Sequence, residues 1–433
     1  MKIVFIEPRA SEANVYSRIS MPLLGPVYLG TILKARGHEV EIYNENIQAP
    51  DYDRLKADVI GLSILSSTAT RGFEIARKFP REKVLMGGVH ASLLPEEARE
   101  YARQVVVGEA ENVIADVVEG RRTEPIVQGE PIQDLDSLPH PDFSLIKGFR
   151  KRSLILPIST SRGCPFDCSF CSVTKMFGRA YRFRSPANIL DEMRTRDAKS
   201  FFFCDDNFTA NPARTRLLLS EMIRQKFNNW VCQVRCDVTK DKALLDLMAE
   251  AGCRTVCVGF ESVNPMTLKA YQKKQTLEEI IASIRAFHRK RIKIHGMFVL
   301  GGEDDSKETV WETLKFALKE KIDTIQMMIL TPFPGTKTFD TLQKEKRIFS
   351  RNWKFYDGQH VVFTPKLISA KELQLNVVNA YMKFYSLYKS ILLLARFRFR
   401  NAMFRFMGHV ILKEWLKCNK KMQWLAKPLP GES

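Results

Sequence analysis

No run of apolar residues in this 433-residue chain approaches the roughly 18 to 20 that a membrane-spanning helix needs, and the best, Ile391 to Ala395, falls far short. An integral membrane protein is excluded. No apolar leader precedes the first strand pattern, which opens at Met1, and the nine Cys are ordinary usage for a reduced interior. A cytoplasmic chain is expected, with its thiols kept for metal or chemistry and not for a disulfide framework. Low-complexity tracts and repeats are absent. With 27% charged and 45% hydrophobic residues, the disordered and collagen-like classes go too.

The formal charge of +18 has the look of a nucleic-acid signal until it is divided along the chain. Residues 1–150 carry 18 basic and 22 acidic side chains, residues 151–365 carry 36 and 24, and residues 366–433 carry 13 and 3. The excess is local. It is densest in the last stretch, where Arg and Lys interleave with aromatic residues and Leu, a pattern suited to an anionic surface.

Short apolar runs alternate with helical patterns from Met1 to about Val107: strands at Ile3–Ile6, Val40–Tyr43, Val59–Ser63, Val84–Met86 and Val105–Val107. Strands apolar on both faces read as a parallel sheet covered by helices, the doubly wound or Rossmann-like α/β class, whose ligands lie beyond the strands' carboxyl ends. A proline-rich, aperiodic stretch follows, with Pro125, Pro131, Pro139 and Pro141. The expected division is a first domain over 1–125, a linker over 126–152, a second domain over 153–365 and a basic aromatic helical region over 366–433. In the second domain six strand-helix units begin near Leu156, Ser200, Val231, Thr255, Lys293 and Thr324. That spacing predicts a partial (β/α)6 barrel of the TIM type, with chemistry at the C-terminal ends of its strands.

Just after the first barrel strand comes Cys164-Pro165-Phe166-Asp167-Cys168-Ser169-Phe170-Cys171. Three thiolates at this spacing can hold three corners of a four-iron cluster and leave the fourth open. The competing reading is a structural zinc site completed by a distant residue such as Cys204, but closed zinc sites usually bring two Cys pairs and no second pair follows.

The C-x-x-x-C-x-x-C motif, with aromatic Phe170 before its last Cys and Ser161-Arg162-Gly163 ahead of it, resembles that of the radical S-adenosylmethionine (SAM) superfamily. The resemblance implies that Cys164, Cys168 and Cys171 bind a [4Fe-4S] cluster whose open iron is chelated by SAM. It also implies a reductant such as flavodoxin or ferredoxin, and cleavage to a 5′-deoxyadenosyl radical that abstracts hydrogen from an unactivated carbon. On the same resemblance Asp205, Asp206 and Asn207 follow the second strand, Arg235 ends the third, Gly259, Glu261 and Ser262 end the fourth, and Gly301 and Gly302 end the fifth, all as SAM contacts. The alternative for each acid is a helix cap or solvated loop, and for Arg235 a buried ion pair. The Gly-Gly-Glu usual after the second strand is not present as such.

The first domain resembles that of cobalamin-dependent members. Ser63-Ile64-Leu65 matches an S-x-L strand end and Gly87-Gly88 a glycine pair, so Ser63, Leu65, Gly87 and Gly88 are expected at a cobalamin nucleotide tail. The D-x-H-x-x-G element that places a histidine on cobalt is absent: after Glu7-Pro8-Arg9 the next histidine is His38, and His90 is the only other one in this domain. The resemblance then implies cobalamin held without a protein histidine, or a domain that has lost the cofactor.

From Tyr381 to Trp415 aromatic and aliphatic residues fall near helical spacing, with Arg396, Arg398, Arg400 and Arg405 alternating with Phe397, Phe399, Phe404 and Phe406. Two compatible readings stand: a helical cap on the barrel, and a helix in the interface of an anionic membrane, peripheral on its inner face. The function expected is an enzyme that methylates, or forms a carbon–carbon bond at, an unactivated carbon of a hydrophobic or lipid-like substrate. RNA modification and a non-catalytic iron-sulfur electron carrier at the membrane are the alternatives; the local charge and the lack of a recognisable RNA-binding module disfavour nucleic acid.

Overall fold

A computed structural model describes residues 1–10, 21–149, 155–196, 198–395, 397, 399–419, 422 and 425. Two compact units emerge: one takes the described residues up to Phe166 together with Ser172–Asp206, the other Asp167–Cys171 and the described residues from Asn207 onward.

In the first unit six parallel strands form one sheet: β1 (Lys2–Glu7), β2 (Glu39–Asn44), β3 (Val59–Ser63), β4 (Val84–Gly87), β5 (Gln104–Val107) and β6 (Ile126–Gln128), in the order β2-β1-β3-β4-β5-β6. This is a doubly wound order, reversing between β1 and β3. Ile3, Phe5, Ile42, Val59, Leu85 and Val106 build its core with Val27 and Leu33 of the helix Leu24–Ala35. The strands are apolar on both faces because helices cover both. β6 falls inside the stretch expected as linker; it is a three-residue edge strand, too short to show periodicity.

The same unit holds β7 (Leu156–Ile158), the hairpin of β8 (Ser161–Arg162) and β9 (Arg182–Phe183), and β10 (Phe201–Phe203), which pairs parallel with β7. In the second unit β11 (Trp230–Val234), β12 (Cys253–Glu261), β13 (Lys293–Leu300) and β14 (Thr324–Ile329) pair parallel in succession. Between them run the helices Lys242–Glu250, Leu277–Arg289 and Lys307–Lys319. Thr276 and Glu279 close a capping box on the second of these, placing its start where the S/T-x-x-E pattern puts it.

The tail forms three helices, Ala370–Phe384, Leu387–Ala395 and Phe399–Cys418. The first packs on β14 and on the helix Lys307–Lys319, the capping role expected of it. Tyr385 donates its hydroxyl to the Ile325 carbonyl and accepts from the Ile325 N–H, while the Tyr381 hydroxyl accepts from the Met327 N–H. Two phenols thus satisfy groups on the outer edge of the last strand, which among the described residues has no strand partner on that side. Arg150–Arg152 of the expected linker, with Arg396 and Arg398, lie outside the described residues.

Candidate functional site

The first unit contains a cavity of about 380 Å³ at the carboxyl ends of β1, β3, β4 and β5, where the strand order reverses. Ser63, Leu65, Gly87 and Gly88 all line it, as do Ser161 and Arg162 ahead of Cys164, and Cys204 and Asp206 after β10. Four residues expected at one cofactor are therefore brought together. A Cβ on Gly25 would meet nothing within 4 Å, and one on Gly87 only the Val106 carbonyl at 3.5 Å, so both glycines leave open space on the wall. Gly88, at φ +91°, is glycine for another reason: a Cβ there would stand 2.8 Å from the backbone of Ile64. Room for one limb of a large cofactor, opened at Gly25 and Gly87 in an otherwise largely apolar wall, fits the tail of a cobalamin.

No histidine lines this cavity among the described residues. His90 is fully buried, with Nδ1 3.2 Å from Ser66 Oγ and Nε2 3.3 Å from Glu97, and His38 pairs with Glu119.

Cys164 follows Gly163, whose φ of +86° and absent side chain let the loop cross the Ala180 carbonyl; a Cβ would lie 2.1 Å from that oxygen. Arg162 donates to Glu109 at 2.7 Å and to Glu111 at 2.5 Å, and Arg182 also binds Glu109. Burial works to raise the Glu109 pKa, but the guanidiniums of Arg182 and Arg162 outweigh it and hold the carboxyl below its usual value.

Asp205, only 2% exposed, turns inward and accepts from the N–H groups of Thr160 and Ser161, each at 2.7 Å. Its neighbour Asp206 faces the cavity, where burial and then Asp205 push it up to about 7. Burial and then the same carboxylate push the Cys204 thiol well up.

Cys168 and Cys171 belong to the second unit. The Cys171 N–H donates to the Cys168 carbonyl, the Ser169 carbonyl accepts from the Thr338 N–H at 3.1 Å, and Lys337 pairs with Asp167 at 3.0 Å. Phe170 meets Tyr271 edge-on at 4.9 Å. The Tyr271 hydroxyl is buried without a hydrogen-bond partner among the described residues, beside Gly302, so a bound polar group would satisfy it. Among the described residues no three His, Cys, Asp or Glu side chains converge as a metal-ion site, so the ligand set rests on the chemistry of the motif.

At the end of β12 Glu261 adopts φ +63°, a strained conformation for a residue with a side chain, where the pairing with β13 slips by one residue. Gln275 steadies this bulge by donating to the Gly259 and Phe260 carbonyls. Glu261 pairs with Lys273 at 2.6 Å, both buried. Burial works to lower the Lys273 pKa, yet Glu261 reverses it, with a further push from Cys168. Arg235 donates to the Lys273 carbonyl at 2.6 Å, and a Cβ on Gly259 would meet Lys273 Nζ at 2.9 Å. Arg235, Gly259 and Glu261 thus share one buried charged cluster with Lys273, which the sequence reading did not single out. Ser262 is turned to the Asn264 N–H, and Asn207 accepts from Thr209. The N–H groups of Gly301 and Gly302 are engaged by Asp305, at 3.0 and 2.9 Å, and Glu303 pairs with Arg347 and Lys366.

The family model described as the radical SAM superfamily matches residues 158–317, and that of the B12 binding domain matches residues 17–118. The chain is 29% identical over 403 residues to the bacteriochlorophyllide d C-12(1)-methyltransferase of Chlorobaculum tepidum, covering 89% of this chain and 87% of that one. It is 28% identical over 332 residues to the hopanoid C-2 methylase of Rhodopseudomonas palustris, covering 71% and 62%. In fold it is similar to the cobalamin-dependent SAM radical enzyme OxsB, solved with aqua-cobalamin bound, with a TM-score of 0.67 at 16% identity over 95% of this chain and 72% of that one. The first domain match implies a [4Fe-4S] cluster and SAM, the second cobalamin. The chain is an enzyme of the radical SAM type with a B12-binding domain, homologous to the cobalamin-dependent radical SAM methylases.

Proposed function

We propose that this enzyme methylates an unactivated carbon of a large hydrophobic substrate. The observation that carries the reading is the cavity at the carboxyl ends of the first sheet, walled by Ser63, Leu65, Gly87 and Gly88 and bordered by the residues that lead into Cys164. The relatives named above act, by their names, on a bacteriochlorophyllide and a hopanoid, both bulky and apolar, which supports a substrate of that character.

Cys164, Cys168 and Cys171 are the thiolates assigned to the cluster. When bound, the cluster with SAM supplies a 5′-deoxyadenosyl radical, and cobalamin a transferable methyl group. The chain's own part is binding and placement. Arg235 and Lys273 offer positive charge to a carboxylate and Glu261 negative charge to an ammonium, the two charges of an amino acid moiety. Phe170 and Tyr271 give a ring and a buried hydroxyl beside Gly302. Burial moves Asp206 and Cys204 toward their neutral forms, while Arg162, Glu109 and Glu111 bring a paired set of charges to the same wall. A flavodoxin or ferredoxin is the reductant, coupling of substrate carbons the competing outcome to methyl transfer, and peripheral contact with an anionic membrane belongs to the same reading.

Anaerobic reconstitution tests it. About four iron and one cobalt per chain are expected, with 5′-deoxyadenosine formed on reduction. Cys164→Ala, Cys168→Ala and Cys171→Ala should each abolish that product, since each removes one of three anchors. Persistent 5′-deoxyadenosine in any of them defeats the assignment, and iron without cobalt defeats the methyl-transfer half.

A further inference from the structure

A helix on a protein surface ordinarily turns its polar side out and its apolar side in. The helix Leu387–Ala395 does the reverse: the one side chain it buries is Ser390, while Leu387, Tyr388, Ile391, Leu392 and Leu394 are exposed, Tyr388 to 70%. The helix Phe399–Cys418 packs against it and buries Asn401, Ala402, His409, Leu412 and Trp415. Asn401 bonds Lys293 and Asp323, and His409 bonds the Tyr385 carbonyl, so this side is held to the unit by polar contacts. The opposite side of its first three turns carries Phe399, Met403, Phe404, Phe406, Met407 and Val410, all exposed.

Of the twenty large apolar side chains exposed in the described residues, twelve fall between Leu387 and Val410; the other eight are scattered singly over the rest. An apolar face of that density exceeds what a free surface normally shows. Charge names its occupant. Lys371, Lys383, Lys389, Arg405, Lys413 and Lys417 fall within the three tail helices against Glu372 and Glu414, and the sequence of 396–400 adds Arg396, Arg398 and Arg400. Two copies would bring like charges together, whereas an anionic bilayer offers both the apolar interior and the opposite charge.

We infer that the helices Leu387–Ala395 and Phe399–Cys418 insert their shared exposed apolar face into the interfacial layer of an anionic membrane. The reading rests on the hydrophobic substrate proposed above and gives it a source, since an apolar substrate dissolved in the bilayer reaches the enzyme without crossing water. Neither helix is long and apolar enough to span.

Flotation of the full chain with vesicles of phosphatidylcholine, with and without one-quarter phosphatidylglycerol, tests the inference without needing any cofactor. Binding to the anionic vesicles is expected, weakened by 0.5 M salt and reduced at least tenfold in Ile391→Asp/Phe406→Asp. Because both positions are exposed, the variant should keep the parent's melting temperature; should it not, Lys413→Glu/Lys417→Glu must lower the binding instead. Undiminished flotation of both variants overturns the inference, as does a protein that ignores vesicles and runs as a dimer which Ile391→Asp/Phe406→Asp separates. Formation of 5′-deoxyadenosine in vesicle-free solution reports the radical chemistry separately.

Discussion

Arg162 reaches from the turn before Cys164 to Glu109, which follows β5 of the first sheet, at 2.7 Å, and both side chains are nearly buried. The loop that begins the cysteine motif is therefore fastened to the cobalamin-type sheet by a charge pair removed from water. Burying two charges is costly, and it is tolerable here because Glu111 and Arg182 complete the pairing.

Arg162→Met should consequently destabilise the protein by about 3 kcal/mol, the penalty for leaving a buried carboxylate unmatched. Denaturant unfolding of the apoprotein checks this, and a loss under about 1 kcal/mol would show the pair to be effectively solvated.

Gly87→Val should lower cobalt per chain at least tenfold after reconstitution while iron stays unchanged. A Cβ added there meets only the Val106 carbonyl, at 3.5 Å, so the new side chain starts on an open part of the wall, where it takes space from a ligand. Gly88→Val is a poorer test, since its Cβ collides with the Ile64 backbone and the variant should lose stability first.

Lys273→Met should weaken SAM binding, measured by equilibrium dialysis with the reconstituted protein, by roughly tenfold or more, the value of one charge-assisted contact. Lys273→Arg should recover part of it. Unchanged affinity in the Met variant would reduce Lys273 to a partner of Glu261 alone.

Glu7 sets a pH dependence. It is buried at the end of β1, and although the Leu23 N–H and the Asn44 amide both donate to it, burial dominates and raises its pKa from 4.5 to about 8. A carboxyl whose folded pKa lies above its unfolded one favours the fold while protonated. Its contribution is full below pH 4.5, declines as pH rises and is gone above about 8. Melting temperatures should fall between about pH 5 and 8, and Glu7→Gln, which cannot ionise, should flatten that fall. An identical slope in wild type and variant would assign the dependence to other groups.

Much of this is legible in the sequence. Runs such as Val59–Ser63 and Lys293–Leu300 are strands with the very limits their apolar pattern gives, because burial on both faces leaves little freedom in composition. Ser63 and Gly87 could be placed at one site since strand ends of a parallel sheet share an edge. Asp205 and Asp206 show where such reading stops: adjacent acids look alike in a sequence, and only the fold turns one to the Thr160 amide and the other to the cavity. Lys273 and Tyr271 stayed hidden for a similar reason, lying in an aperiodic turn whose course is fixed by contacts distant in sequence. The tail's composition announced a basic aromatic helix, but not that its polar side would be the buried one.

The two tyrosine hydroxyls on β14 give the tail a second duty. Cutting the chain ahead of Ala370 would strip Tyr381 and Tyr385 away and take from the amides of Ile325 and Met327 the hydroxyls they donate to. Such a truncated protein would recruit foreign strands and precipitate, so substitutions on the exposed faces of the tail, and not its deletion, separate its surface role from its hold on β14.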